Sequence, residues 1–251
     1  MMSKPVSFAV AIPVGGWHDL LPRALESLAV QTPPLQVALL DASGDPRVAE
    51  AAQSSGIEFA YSRTGPDAGQ SAAIAEGWQH TDSDFVFWLN VDDCLAPNAL
   101  DVVRETLDAD HDLDVIYGLT DFIDLSGAVI DRHDQVEEVS PLLLRSNIIS
   151  QPSCFVRRSA MMEVGGVDAS LHYVMDWDLW IRLYNSGARF KLLRETLSSV
   201  YMGEGTKTHQ VSPARLREVF QLVHKNCGAW AAIKSTLSLA AETLTRRRPN
   251  S

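Results

Sequence analysis

The apolar positions of this chain fall into short runs separated by polar punctuation, and the spacing within the runs alternates between that of strands and that of helices. Residues 6–12 are almost continuously apolar and stop at Pro13 and Gly15-Gly16, the pattern of a strand buried on both faces. Leu21, Ala24, Leu25 and Leu28 then keep helical spacing, with Asp19 placed to cap and Pro22 tolerable in the first turn. The pattern predicts strands over 37–40 and 57–61, helices over 46–54 and 70–79, and a fourth strand from Phe85 that ends at Asn90. Strand and helix alternating at this rhythm predict parallel strands joined by right-handed crossovers.

Beyond residue 100 the rhythm changes. Residues 115–117, 121–125 and 129–130 read as short strands with a turn at Ser126-Gly127, an antiparallel or mixed edge on the same sheet. A short helix is expected over 141–145, and Trp177, Trp180, Ile181 and Tyr184 keep helical spacing. Ser212-Pro213 is a good helix start, followed by Leu216, Val219, Phe220 and Val223 on one face. A last amphipathic helix, headed by Trp230, is expected over 231–244. It could pack locally, pair with another subunit or rest on lipid.

Composition narrows the class. Of the 251 residues 46% are hydrophobic and 21% charged, as in ordinary globular chains. No apolar run approaches the roughly 18 to 20 residues that cross a bilayer, and residues 1–5 lead into a strand without a signal-like apolar stretch. Cys94, Cys154 and Cys227 are odd in number and lack metal-binding spacing, which fits free thiols in a reducing compartment. A cytoplasmic protein is expected. The net charge is −11, yet from Lys207 to Ser251 eight Lys or Arg face two Glu, so the preceding residues are the more acidic. An acidic body argues against general nucleic-acid binding, which needs a basic surface. The basic end, Arg246-Arg247-Arg248, is either a solvated tail or a contact for an anionic membrane surface.

The candidate chemistry lies where strands stop. Asp92 and Asp93 follow the fourth strand, and the rim of an open α/β sheet is where ligands bind. Adjacent carboxylates repel unless a cation or a hydrogen-bond network satisfies them. A divalent ion holding a diphosphate is one explanation, and a polar turn with Asp93 capping a helix is the other. Asp41 follows the second strand. Gly65-Pro66-Asp67-Ala68-Gly69-Gln70 is a flexible loop before a helix, able to bring backbone N–H groups near a phosphate, though without G-x-G-x-x-G spacing. Asp176 and Asp178 flank Trp177 at the start of an apolar helix, where either could be an N-cap.

Residues 70–77, then Trp88-Leu89-Asn90-Val91-Asp92-Asp93 and Pro97, resemble the donor half of family 2 glycosyltransferases with the GT-A fold. Gln151-Pro152-Ser153-Cys154-Phe155-Val156-Arg157-Arg158, then Gly165-Gly166-Val167-Asp168, then residues 171–183 around Met175-Asp176-Trp177-Asp178 resemble its acceptor half. The likeness runs over roughly residues 6–208. It implies an α/β domain of the nucleotide-diphospho-sugar transferase type over 1–208, with a mainly parallel central sheet flanked by helices, and a C-terminal helical extension with a basic tail over 209–251. It also implies an inverting transfer of a sugar from a nucleotide-sugar donor to a saccharide or lipid-linked acceptor, in the setting of bacterial surface polysaccharide or lipopolysaccharide synthesis. The enzyme could sit peripherally at the inner face of the cell membrane, and could be a homodimer.

The resemblance assigns roles residue by residue. Pro13, Val14, Asp41, Asp67, Gly69, Gln70, Asn90 and Val91 would bind the donor, Asp41 through the nucleobase. Asp92 matches the last Asp of the metal-binding Asp-x-Asp and would hold Mg²⁺ or Mn²⁺ against the diphosphate, stabilising the leaving group. Asp176 matches the general base that takes the acceptor proton. Trp177 and Asp178 would bind the acceptor; the other tryptophans are expected in the core. The chain departs from the family in two places. Asn90 stands for the first Asp of the metal motif, leaving Asp92 and Asp93 to supply charge, and Gly203 stands where a His usually completes the site, with His209 a candidate substitute. These departures leave open a binding or scaffold member with little or no turnover. A nucleotidyltransferase is disfavoured because the first loop, Pro13 to Asp19, carries no Lys or Arg.

Overall fold

The computed structural model describes residues 5–133, 136–203 and 212–246. Three strand–helix pairs open the chain: β1 (Phe8–Val14) and α1 (Leu21–Ala29), β2 (Leu35–Asp41) and α2 (Pro46–Ser54), β3 (Phe59–Thr64) and α3 (Gln70–Gln79). They are followed by β4 (Phe85–Trp88), β5 (Asp93–Leu95), α4 (Ala99–Ala109), β6 (Val115–Ile123) and β7 (Val129–Arg132). The remainder is β8 (Cys154–Arg157), α5 (Arg158–Glu163), α6 (Met175–Asn185), β9 (Phe190–Tyr201), α7 (Pro213–Cys227) and α8 (Ala229–Arg246). One sheet runs β3-β2-β1-β4-β8-β6-β9-β5, with β7 added on β6. β3, β2, β1 and β4 are mutually parallel, as the alternation predicts. β8 is antiparallel to both β4 and β6, and β9 is parallel to β6.

The sheet is covered on both faces, which is why β1 and β4 are apolar at every position. In β1, Phe8, Val10, Ile12 and Val14 pack with α1 and α4 residues such as Leu25 and Val103. Ala9 and Ala11 face the other way, toward Ile74 and Trp78 of α3. That face is close-packed: a Cβ at Gly77 would come within 2.9 Å of the Ala11 side chain and of Leu40. Glycine is what lets α3 lie this near the sheet, and α3 aims its N-terminus at the strand ends. The second face continues through Trp88, Trp180 and Trp177 to Val219, Val223 and Ala232 of the α7–α8 hairpin. The C-terminal helices are therefore packed into the same core as the sheet.

Some local expectations are corrected. Asp19 does not cap α1; Leu20 holds that position, and the Asp19 carboxylate accepts from Trp17 Nε1 at 2.7 Å. Residues 115–123 form one continuous strand rather than two, ended by a turn at Asp124-Leu125-Ser126-Gly127. β8 and the twelve-residue β9 are strands beyond those expected from the sequence. β9 buries residues in pairs rather than alternately, because its register against β6 shifts around Leu119.

Candidate active site

Parallel pairing brings the C-terminal ends of β1, β2 and β4 to one edge, with Val14 beside Asp41 and Ala11 beside Trp88. A cavity of about 1030 Å³ opens there, between these strand ends, the N-termini of α3 and α6, and the α7–α8 hairpin. Pro13, Val14, Asp67, Gly69, Gln70, Asn90, Val91, Asp92, Asp176 and Trp177 all line it. Residues more than 160 positions apart thus share one hollow. A second hollow of about 890 Å³ lies at the opposite edge, where β2 and β3 begin, and receives none of these side chains.

On the strand-end side the polar groups hold one another. Gln70 Nε2 donates to Asn90 Oδ1 at 2.7 Å, and Asn90 Nδ2 donates to Asp93 Oδ2 at 2.9 Å and to Gln151 Oε1 at 3.3 Å. Gln151 Nε2 in turn donates to the Trp88 carbonyl at 2.7 Å. Asp93 is 2% exposed, and burial together with the Asp92 charge pushes its carboxyl well above the ordinary aspartate range. Asp93 lines the cavity beside Asp92 and is held there as the hydrogen-bond partner of Asn90. Asp67 accepts from Gly69 N–H at 2.8 Å and pairs with Arg63 at 3.3 Å, shaping the loop that leads into α3. Gly69 at φ 113° is a conformation that a side chain would strain. Asp41 is 4% exposed and accepts from Ser43 Oγ and the Ser43 and Gly44 N–H groups; it lies beside the cavity without lining it.

The facing wall is built differently. Asp176 sits in the first turn of α6, after the Val174 cap, and Oδ2 accepts from Asn147 Nδ2 at 2.9 Å. Burial raises its carboxyl above the ordinary value, against the opposing pull of the Trp177 N–H, the Asn147 bond and the Arg215 charge. A carboxyl tuned upward and aimed into a cavity suits proton abstraction. Trp177 is 6% exposed and donates from Nε1 to the Leu143 carbonyl at 2.6 Å, so its ring is a fixed wall packed into the core rather than a free stacking platform. Asp178 is not brought to the cavity: it is 6% exposed and bound to Arg182 at 2.7 Å, one turn along α6.

Several lining residues carried no assigned role in the sequence: Asn147 and Gln151, which position Asp176 and Asn90, and Tyr201, Arg145, Arg215 and Lys234. Gln151-Pro152 stood inside the acceptor-half resemblance, which was the available signal. Tyr201 accounts for Gly203. A Cβ there would collide with the Tyr201 phenol, so the ring occupies the space of a side chain at that position. His209 lies outside the described residues.

The model of the family described as "Glycosyl transferase family 2" matches residues 10–164, more than half of the chain. The chain belongs to glycosyl transferase family 2. An "Uncharacterized glycosyltransferase" of Haemophilus influenzae is 22% identical over 169 residues, covering 65% of this chain and 57% of that protein. The chain thus spans less than two thirds of that curated relative. Among solved structures, S. aureus TarS 1–349 in complex with UDP-GlcNAc superposes with a TM-score of 0.68 at 17% identity, covering 96% of this chain and 72% of TarS 1–349. The mannosyltransferase PcManGT from Pyrobaculum calidifontis, in complex with GDP-Man and Mn²⁺, gives 0.64 at 12% identity over 98% and 77% of the two chains. At these identities the likeness establishes the fold, which is GT-A as the resemblance implies.

Among the described residues no group of three or more His, Cys, Asp or Glu gathers to hold an ion. The donor set nevertheless fits a hard divalent cation of the kind completed by substrate. Such ions bind through one or two carboxylates plus phosphate oxygens and water, and Asp92 offers one carboxylate at the strand end.

Proposed function

We propose that this family 2 member is an inverting glycosyltransferase that moves a sugar from a nucleotide-sugar donor to a hydroxyl of a saccharide or lipid-linked acceptor. The observation that carries the reading is the sharing of one cavity by the α3 and β4 loops on one side and an upward-tuned Asp176 on the other. Pro13, Val14, Gly69, Gln70 and Val91 line the donor side, and Asn90 is held by Gln70 and Gln151. Asp92 would hold Mg²⁺ or Mn²⁺, which when bound neutralises charge on the departing diphosphate.

Asp176 takes the proton of the attacking hydroxyl as that oxygen bonds to the anomeric carbon. The bond from that carbon to the diphosphate oxygen breaks, and its electron pair leaves with the nucleotide. Single displacement inverts the centre. A retaining route would need a carboxylate nucleophile at the sugar, whereas Asp67 is committed to its loop and Asp93 to Asn90. Trp177 forms the fixed wall against which the acceptor lies. Synthesis of a surface polysaccharide at the inner face of the membrane is the setting this chemistry suits.

The outer face of α8 supports a peripheral membrane seat. It exposes Trp230, Ile233 and Leu237 at helical spacing, 77%, 41% and 64% accessible, in the part of the chain with excess positive charge. No helix of the described residues is long and apolar enough to cross a membrane. Cosedimentation with vesicles containing anionic lipid, lost in Trp230→Ser/Leu237→Ser, is the expected result. A stable dimer that the same changes dissociate would assign the stripe to a second copy instead.

A thermal-shift screen of UDP, GDP, dTDP and CMP and their sugar conjugates, each with Mn²⁺, Mg²⁺ or EDTA, tests the central reading. A ligand at 100 times its dissociation constant adds roughly 2.7 kcal/mol of apparent stability. One nucleotide stabilising with metal is expected. A flat screen in every condition would replace the enzyme with a binding or scaffold member of the fold.

A further inference from the structure

The Lys and Arg side chains of the cavity lie on one wall. Asp67, Asp92 and Asp93 stand on the strand-end side, while Arg145, Arg215 and Lys234 line, together with Asp176, the side built by the C-terminal half. Three cations lining one wall of a cavity, in a chain of net charge −11, need a reason. Their place relative to the base supplies one. Asn147, which holds Asp176, is two residues from Arg145. The Arg145 carbonyl accepts from Ser235 Oγ at 2.8 Å, which ties that segment to α8 next to Lys234. Arg215 lies near enough for its charge to act on Asp176. An acceptor hydroxyl must touch Asp176, so the rest of the acceptor extends along this wall, beyond the base as seen from the strand ends.

Arg145 and Lys234 are exposed at the cavity and enter no ion pair with a side chain among the described residues. Neutral sugars are read by hydroxyl-pairing carboxylates, amides and aromatic rings; guanidinium and ammonium groups match phosphate. We infer that the acceptor bears a phosphate close to the hydroxyl that is glycosylated, held by Arg145, Arg215 and Lys234. The inference rests on the reading of the cavity as a glycosyltransferase site. It makes the C-terminal hairpin the part of the chain that selects the acceptor.

The test uses the full chain saturated with UDP or GDP, whichever stabilises it with Mn²⁺, and titrates decyl phosphate, glucose 6-phosphate and, as neutral controls, octyl glucoside and glucose. Wild type should bind at least one phosphate compound with nucleotide in place, more weakly as salt rises, and bind neither neutral control comparably. The variant R145Q/K234Q, altered only at exposed side chains, should lose on the order of tenfold or more in phosphate affinity while its nucleotide affinity stays within about twofold. Preference for decyl phosphate would mark a lipid-borne phosphate, and preference for glucose 6-phosphate a soluble one. Equal loss of nucleotide affinity in the variant would overturn the inference by assigning the cations to the donor diphosphate. So would tight nucleotide binding with equal or no response to phosphate and neutral compounds. Absence of any nucleotide binding by wild type would instead sink the glycosyltransferase reading itself.

Discussion

At the rim formed by β1, β2 and β4 the polar side chains are bound to one another in series, Gln70 to Asn90, Asn90 to Asp93 and Gln151, Gln151 to the Trp88 carbonyl. Across the cavity, Asp176 accepts from the Asn147 side chain and is raised by burial, while cations stand at the solvent edge of the same wall. The first region is preorganised: it fixes shape, and the ordering cost is met during folding. The second is held away from its electrostatic optimum, as the proposed base and charge-selecting surface require. A donor of constant chemistry suits a satisfied site, and a reacting hydroxyl suits an unsatisfied one.

The largest effect should come from Asp176→Asn, which keeps shape and removes the proposed base. Turnover is expected to fall by on the order of 10² or more with nucleotide affinity unchanged. Steady-state kinetics beside calorimetric titration check it, and near-normal turnover would move the base elsewhere. Gln151→Leu should do the reverse, acting on the satisfied side. It strands the Trp88 carbonyl and one Asn90 N–H, and should lower unfolding stability by about 1–3 kcal/mol in urea titrations. Nucleotide binding should weaken with it; an unchanged urea midpoint would show that the network is not cooperative. Asp92→Ala should cost on the order of tenfold in nucleotide affinity with Mn²⁺ and little in EDTA. Equal affinity in both conditions would remove Asp92 from the metal site.

The smallest effect is one of pH. The folded Asp176 carboxyl titrates above its unfolded value, so its contribution to stability is greatest at pH below that unfolded value and is lost as pH rises through the folded one. Asp176→Asn should therefore melt higher than wild type near neutral pH, and the gap should close toward acid. Wild-type activity should fall on the acid side with a midpoint above the ordinary aspartate value of about 4. A midpoint at or below that value would mean the base is not desolvated when substrate is bound.

Much of the first hundred residues was legible because local signals agree there. Apolar runs, helical spacing over Leu21 to Leu28 and the helical stretch over 46–54 each point to the structure found. Asp176 was legible as a candidate from its motif, and the structure adds its burial and its Asn147 partner. That Asp93 is the more buried of the two adjacent acids and is bonded to Asn90 was not legible, because adjacency says nothing about burial; entry into β5, beside β9, sets it. Asp178 misled for a helical reason. Two residues after Asp176 is about 200° around the helix, and there it meets Arg182 instead of the cavity.

Alone, the sequence determined the parallel strand–helix layer, the placing of acids at strand ends, and the helical start that carries Asp176, since each follows from periodicity and turn chemistry within a few neighbouring residues. Only the tertiary structure decided that β9 runs beside both β6 and β5, that Gln151 and Asn147 hold Asn90 and Asp176, and that Arg145 and Lys234 reach the cavity wall. Those facts depend on contacts between segments tens to more than a hundred residues apart, and long-range register and side-chain direction are set by packing, on which short-range patterns carry no information.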